Sequence, residues 1–215
     1  TDRLAVHPPG PDTGYQQAKQ VGRFLAGTPF SIAPSGRDPK NLAGFHLTHL
    51  YCSLMLRAVQ TGTEIARETG VRLSAWVEIH EEGGIYLEDD LTGDLQGLPG
   101  STRAFLQEQY PELILPESLA ETGWWNRPFE TDAERPARAR QFLQELLHRH
   151  GGTADRVAIV SHGGFYNQFM NVLLNRPFDH RFWFSMNNVA ITRVDFDQDQ
   201  TAIVYCNRTD FLPPE

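Results

Sequence analysis

The chain has 215 residues, which is the size of one large α/β domain or of one domain with an insertion. Apolar residues make up 40% of it and charged residues 21%, so wholesale disorder is excluded. The formal net charge of −8 disfavours general nucleic-acid binding, because that role needs a basic surface. No apolar run approaches the roughly 18 residues of a membrane span, and no secretory signal is visible. We therefore expect a cytoplasmic protein with no nucleic-acid or membrane partner, and we interpret Cys52 and Cys206 as buried free thiols.

The sequence predicts strands in alternation with helices. In chain order the predicted elements are a helix at Thr13–Ala26, a strand at Phe45–Ser53, a helix at Leu54–Thr69, a strand at Leu73–His80, a helix at Thr131–His150, a strand at Arg156–Ser161, a helix at Phe165–Leu174 and strands at Val189–Phe196 and Ala202–Asn207. The last two are typical of a hairpin with a polar turn at 197–200. The alternation predicts one α/β domain over 1–215, a three-layer sandwich with a mostly parallel central sheet.

Residues 83–130 interrupt this alternation. They are rich in glycine and proline, too long for a plain connection and too apolar for a linker. We predict a mostly helical insertion that covers the active-site edge of the sheet. The adjacent Trp124 and Trp125, with Asn126 and Arg127, are expected to line the mouth of a pocket. The alternative is that the tryptophan pair only anchors the insertion.

Three predicted strands end in residues that suit an anion site. Ser161-His162-Gly163-Gly164 leads from a strand into a helix, whose free N–H groups and partial positive charge favour an anion. Ser53 is a good N-cap for the next such helix, and Arg57, one turn in, offers a fork of donors to a phosphate. Glu81 follows a third strand and could serve as a general acid if its pKa is raised. Each feature alone also fits a plain role: a capping histidine, an exposed helix arginine and an acidic loop.

Together these features resemble the histidine phosphatase superfamily, which includes the cofactor-dependent phosphoglycerate mutases. The segments that carry the resemblance are Gly14-Tyr15-Gln16-Gln17-Ala18, the run from Ser53 to Thr61, Ile79-His80-Glu81 with Gly84, Glu130-Thr131 with Arg138, Val160-Ser161-His162-Gly163-Gly164, and the polar turns Asn187-Asn188 and Asn207-Arg208-Thr209. Each motif is weak alone, but six in the right order cover nearly the whole chain.

The resemblance implies a covalent phosphohistidine mechanism without a metal or other cofactor. It implies that Arg57 and His162 hold the phosphoryl oxygens, while Glu81 donates a proton to the leaving oxygen and later activates water. Glu82 is the alternative acid. We expect Ser53, Gly163, Asn187, Trp125 and Arg127 to contact the substrate. His46, His49, His148 and His150 lack a convincing ligand constellation and are interpreted as surface or packing residues.

The sequence departs from the family at the nucleophile. The family places it in an Arg-His-Gly turn after its first strand, and no such turn occurs in these residues. His7 is a poor substitute, because Pro8 and Pro9 after it have no N–H group to offer a phosphate. We therefore expect a further strand ending in Arg-His-Gly before Thr1. The alternative is a protein that lacks this strand.

The leading hypothesis is a phosphomonoester hydrolase that acts on a small phosphate ester. Mutase-type phosphotransfer is a second hypothesis, which the absence of lysine from 83–130 disfavours. A non-catalytic phospholigand-binding relative is a third. The physiological substrate and the oligomeric state cannot be read from the sequence.

Overall fold

The computed structural model describes residues 11–27, 38, 40, 41 and 44–213, so His7 lies outside the described residues. The helices are α1 (Pro11–Ala26), α2 (Leu56–Thr69), α3 (Arg103–Gln109), α4 (Glu134–His150) and α5 (Gly163–Leu173). The strands are β1 (His49–Cys52), β2 (Leu73–Ala75), β3 (Tyr86–Glu88), β4 (Leu95–Gly97), β5 (Val157–Val160), β6 (Ile191–Phe196) and β7 (Thr201–Arg208). None of the described helices is long and apolar enough to cross a membrane.

The central sheet has the order β2-β1-β5 and all three strands are parallel, as predicted. Side chains of β1 alternate between two apolar layers, because successive residues of a strand point to opposite faces. Leu50 and Cys52 pack with α1 and α2, whereas Tyr51 packs with α4 and α5. Two layers of helices therefore enclose the sheet, and the α/β three-layer prediction is confirmed.

The second predicted strand is shorter than expected. β2 ends at Ala75, and a single turn of 3₁₀-helix follows at Val77–Ile79. The N–H of Trp76 donates to the carbonyl of Cys52 at 2.8 Å, after which the chain leaves the sheet. The 3₁₀ turn then delivers Glu81 to the end of the sheet where β1 and β5 also end.

The insertion is less helical than predicted. Between 83 and 130 the structure has only α3 and the small β3–β4 hairpin, joined by turns. Pro111 follows α3 by two residues and prevents its extension, and several glycines of the segment have the positive φ of turns. One part of the insertion joins the sheet edge, since Ile114 forms a parallel bridge with Ser74.

The predicted C-terminal hairpin is confirmed, with the N–H of Asp197 bonded to the carbonyl of Gln200 at 2.9 Å across its turn. Strands β6 and β7 form a separate two-stranded sheet. Within the described part of the chain, β5 pairs only with β1, and its four residues are all partly exposed.

The two cysteines differ in their environment. Cys52 is fully buried as predicted, and burial raises the pKa of its thiol. The prediction for Cys206 is wrong, because this residue is exposed on the solvent side of β7.

Candidate active site

His162 is the centre of a hydrogen-bonded group at the carboxyl ends of β1 and β5. It is the N-cap residue of α5, with an extended backbone, and is only 7% exposed. Its Nε2 lies 2.6 Å from Oγ of Ser53, and its Nδ1 accepts a hydrogen bond of 3.1 Å from Nε of Arg57. β1 and β5 are neighbours in register, with Cys52 opposite Val160, so the residues that follow them meet.

These contacts define the protonation of His162. The guanidinium of Arg57 can only donate, so Nδ1 must be the unprotonated nitrogen and Nε2 carries the proton that Ser53 accepts. Burial lowers the pKa of His162 well below its usual value, and the positive charge of Arg57 lowers it further. The imidazole is therefore neutral near pH 7. Because Nε2 donates to Ser53, His162 does not act as a base toward the Ser53 hydroxyl.

Glu81 faces this group from the loop after the 3₁₀ turn. Its Oε2 lies 4.0 Å from Nη2 of Arg57, and its Oε1 accepts hydrogen bonds from the N–H groups of Glu82 and Phe165 at 3.0 and 3.1 Å. Burial raises the pKa of Glu81, although these donors and Arg57 oppose the shift. A carboxyl with a raised pKa can hold a proton for transfer.

Glu82 is directed to a different set of partners. Its Oε1 accepts a hydrogen bond of 2.8 Å from Gln168, and its Oε2 lies 3.6 Å from Arg135. Of the two adjacent carboxylates, Glu81 is therefore the one that faces Arg57. The sequence did not reveal this second network, because Gln168 and Arg135 lie on separate helices with no recognisable spacing.

The close approach of α5 to the loop explains the second glycine of the turn. A Cβ atom on Gly164 would overlap Oε1 of Glu81 and lie 2.7 Å from Cγ of Glu82. Gly163 has open space at the same position. Only Gly164 is thus needed to let the two carboxylates pack against the helix.

A buried ion pair supports the loop from below. The guanidinium of Arg138 binds both carboxylate oxygens of Glu130, at 2.5 and 2.7 Å. Its third nitrogen donates to the carbonyl of Glu78, within the 3₁₀ turn, and to that of His80, directly after the turn. Arg138 therefore fixes the backbone from which Glu81 extends.

The tryptophan pair does not line a pocket mouth. Trp124 and Trp125 are 7% and 5% exposed and belong to the apolar core. Trp125 packs against Gly84 and edge-on to the ring of His80, at 4.7 Å between centroids. The prediction for the two tryptophans is therefore corrected. They anchor the insertion, because the removal of a large apolar indole ring from water stabilises the packed core. Arg127 is exposed and stacks on Trp125 at 4.0 Å.

The remaining predicted residues lie around this group. Gly163 begins α5 directly after His162. Ser161 donates from its hydroxyl to the carbonyl of Ile79, which ties β5 to the 3₁₀ turn. Asn187 is exposed, and its N–H donates to Oδ1 of Asn207 at 2.7 Å. None of the hydrogen bonds around His162 involves Asn187, Trp125 or Arg127.

One family of known proteins matches most of the chain. The model of the histidine phosphatase superfamily, branch 1, matches residues 38–209. No curated protein matches the chain.

Solved structures have a similar fold at low sequence identity. YhfR of Bacillus stearothermophilus is 18% identical with a TM-score of 0.57, covering 93% of this chain and 85% of its own. Mycobacterial glucosyl-3-phosphoglycerate phosphatase with inorganic phosphate is 18% identical with a TM-score of 0.57, covering 94% and 88%. The alpha-ribazole phosphatase of Shigella flexneri is 14% identical with a TM-score of 0.57, covering 93% and 84%. At these identities the likeness establishes the fold alone.

Proposed function

Because the chain belongs to the histidine phosphatase superfamily, branch 1, we propose that it is a metal-free phosphomonoester hydrolase that acts on small phosphorylated molecules through a phosphohistidine. The observation that carries this proposal is the convergence of Arg57, Glu81 and His162 at one end of the sheet. Phosphatases among the structurally similar proteins support the same class of reaction.

In the proposed reaction, Arg57 and His162 bind the phosphoryl oxygens, and Glu81 transfers the protons. Arg57 uses Nε for His162, so its two terminal nitrogens remain to bind phosphoryl oxygens. A histidine nitrogen attacks phosphorus, the ester P–O bond breaks, and Glu81 gives its proton to the leaving oxygen. Water then attacks phosphorus, the P–N bond breaks, and Glu81 takes the proton from that water. Charge on the phosphoryl oxygens is balanced by Arg57 throughout.

The nucleophile in this proposal is a second histidine outside the described residues. His162 is unsuited to attack, because the lone pair of its Nδ1 already points at Arg57. We place the nucleophile in an Arg-His-Gly turn at the end of a strand before Thr1. The edge of β5 that no described strand covers supports this position, since the backbone N–H and C=O groups along that edge have no strand partner among the described residues.

A hydrolase is favoured over a mutase by the contacts of Arg103. A mutase must hold a second phosphorylated ligand and exclude water. Arg103 is one of two arginines in 83–130, and it is bonded to the carbonyls of Pro116 and Leu119. Its guanidinium is thus already used to hold the insertion together.

The test combines phosphoryl trapping with intact-mass and N-terminal analysis of the purified protein. The protein is treated with a labelled phosphate ester, quenched, and examined for acid-labile, base-stable phosphate. Label on a histidine upstream of Thr1, with release of inorganic phosphate, supports the hydrolase. Transfer of the label to a second ester instead of water would favour the mutase. Phosphate binding without a phosphoenzyme would favour the non-catalytic relative, and label on His7 would refute the argument from Pro8 and Pro9.

A further inference from the structure

A second cluster of polar side chains lies at the other end of the sheet. His49 is the first residue of β1, Asp155 lies two residues before β5, and His150 is the last residue of α4. Ser53 lies four residue steps from His49 along an extended strand, so the two clusters are about 13 Å apart. This cluster therefore takes no part in the proposed phosphoryl transfer.

The three side chains converge closely. Oδ2 of Asp155 lies 2.9 Å from Nδ1 of His150, and Oδ1 lies 3.6 Å from Nδ1 of His49. One potential ligand atom from each residue lies within 4.8 Å of the others, and this is the one such group of three within the described ranges. The sequence led us to interpret His49 and His150 as surface or packing residues, and the structure brings their side chains together with that of Asp155. The parallel strands β1 and β5 begin at the same end of the sheet, and α4 ends there too.

We propose that His49, His150 and Asp155 form a binding site for a divalent transition-metal ion, with Zn²⁺ the ion that this donor set favours. Two imidazole nitrogens and one carboxylate oxygen are the ligand types of zinc sites, and a water would complete a tetrahedron. Ligand atoms of a tetrahedral zinc site lie about 3.3 Å apart, given bonds of about 2.0 Å. The observed 2.9 and 3.6 Å are each a few tenths of an ångström from that value.

The surroundings of the cluster suit a bound ion. With Nδ1 of His150 on the metal, its Nε2–H would donate to the hydroxyl of Tyr51, 3.1 Å away, which is the outer contact that orients metal-binding histidines. The side chains of His150, Asp155 and His49 are 10%, 25% and 40% exposed. One side is therefore open for entry of the ion and for a water ligand.

An ion at this position would link the end of α4 to the starts of β1 and β5. His150 ends a long helix, whereas His49 and Asp155 mark the starts of β1 and β5. Binding to the folded state alone stabilises that state in proportion to the logarithm of the ion concentration. The expected effect of binding is thus a more stable fold, and it is independent of phosphatase activity.

The test is metal titration of the intact chain after removal of bound metal by a chelator. Isothermal titration with Zn²⁺ is expected to give one ion per chain and a rise in melting temperature. Co²⁺ is expected to give the visible absorption of a tetrahedral nitrogen and oxygen site. His49→Ala and Asp155→Asn should each weaken binding by more than the 10- to 100-fold that loss of an outer contact costs. His148→Ala, on the exposed side of the same helix, should bind as wild type.

Three results would overturn the proposal. Wild-type protein that binds neither Zn²⁺ nor Co²⁺ lacks the site. Equal binding by wild type and His49→Ala, or by His49→Gln if the alanine variant does not fold, places the ion elsewhere. A thiolate band in the Co²⁺ spectrum that disappears in Cys206→Ser would assign the ion to the exposed cysteine.

Discussion

Arg57 sets the chemistry of its neighbours because a guanidinium can donate hydrogen bonds but cannot accept them. It leaves His162 neutral, with its proton on the Ser53 side. It also lies close enough to Glu81 to favour the carboxylate, which burial opposes. The balance between these two effects determines how much protonated Glu81 is available at a given pH.

Replacing Arg57 or His162 with alanine is expected to lower turnover strongly without unfolding the protein. Each loses a contact to charge that develops at phosphorus, worth about 3–4 kcal/mol, or about 10²–10³-fold in kcat. Arg72→Ala, exposed shortly after the same helix as Arg57, is the matched control. Steady-state kinetics and circular dichroism of the three variants check this. Turnover within a few-fold of wild type in Arg57→Ala would remove this residue from the mechanism.

Glu81→Gln is expected to slow alkyl phosphates far more than activated aryl phosphates, because only a poor leaving group needs the proton. The raised pKa gives the sign of the pH dependence: alkyl ester hydrolysis is greatest below that pKa and declines as pH rises through it. Glu82→Gln is the control, since Glu82 faces Gln168 and Arg135. If Glu82→Gln has the selective effect instead, Glu82 is the acid.

At the scale of elements, the site depends on how closely α5 approaches the loop after the 3₁₀ turn. Gly164→Ala is expected to lower kcat by displacing Glu81, since its new Cβ would overlap that carboxylate. Gly163→Ala should have a much smaller effect, because nothing lies within 4 Å of its Cβ position. The ratio of kcat values for the two variants is the measurement. Equal losses would mean that the glycines matter for their backbones rather than for this contact.

The buried pair of Arg138 and Glu130 is the second link between elements. Arg138→Ala should lower the free energy of unfolding by about 3–5 kcal/mol, because it leaves Glu130 buried without a partner. Arg140→Ala, exposed on the same helix, should change it by less than about 0.5 kcal/mol. Urea unfolding monitored by circular dichroism checks both values. A small effect of Arg138→Ala would indicate that water reaches Glu130.

At the scale of the whole molecule, the sequence was sufficient for the layer order and for the convergence of Arg57, Glu81 and His162. These follow from strand ends at one edge of a parallel sheet, which hydrophobic pattern alone predicts. The insertion was less predictable, because its glycines and prolines exclude helix without specifying which turns replace it. Trp124 and Trp125 were misplaced, since adjacent indoles have the same sequence pattern in a lid and in a core. The contact between His49 and His150 depends on tertiary register, for which the sequence has no local signal.

Acid is expected to destabilise the molecule through its buried histidines. Burial, and then the charge of Arg138, lowers the pKa of His80 from 6.5 to about 3. The folded state thus prefers neutral His80, whereas the unfolded state binds a proton there below about pH 6.5. The stability that neutral His80 contributes is therefore complete above about pH 6.5 and is lost as pH falls toward 3. One proton that binds the unfolded state but not the folded state lowers the free energy of unfolding by up to about 1.4 kcal/mol per pH unit. Unfolding free energies measured across this range should fall less steeply for His80→Gln than for wild type, whereas exposed His148→Gln should follow wild type. An unchanged slope in His80→Gln would show that other groups bind the protons.

The contact between His80 and Trp125 also makes intrinsic tryptophan fluorescence sensitive to the protonation of His80. Trp76, Trp124 and Trp125 are buried, whereas Trp183 is 55% exposed. Light emission from the buried indoles is therefore at shorter wavelength than that from Trp183, and an acrylamide quencher in solution reaches mainly the latter. An imidazolium formed at His80, 4.7 Å from the ring of Trp125, would quench indole fluorescence from within. The intrinsic emission spectrum thus follows protonation beneath the insertion with no added label.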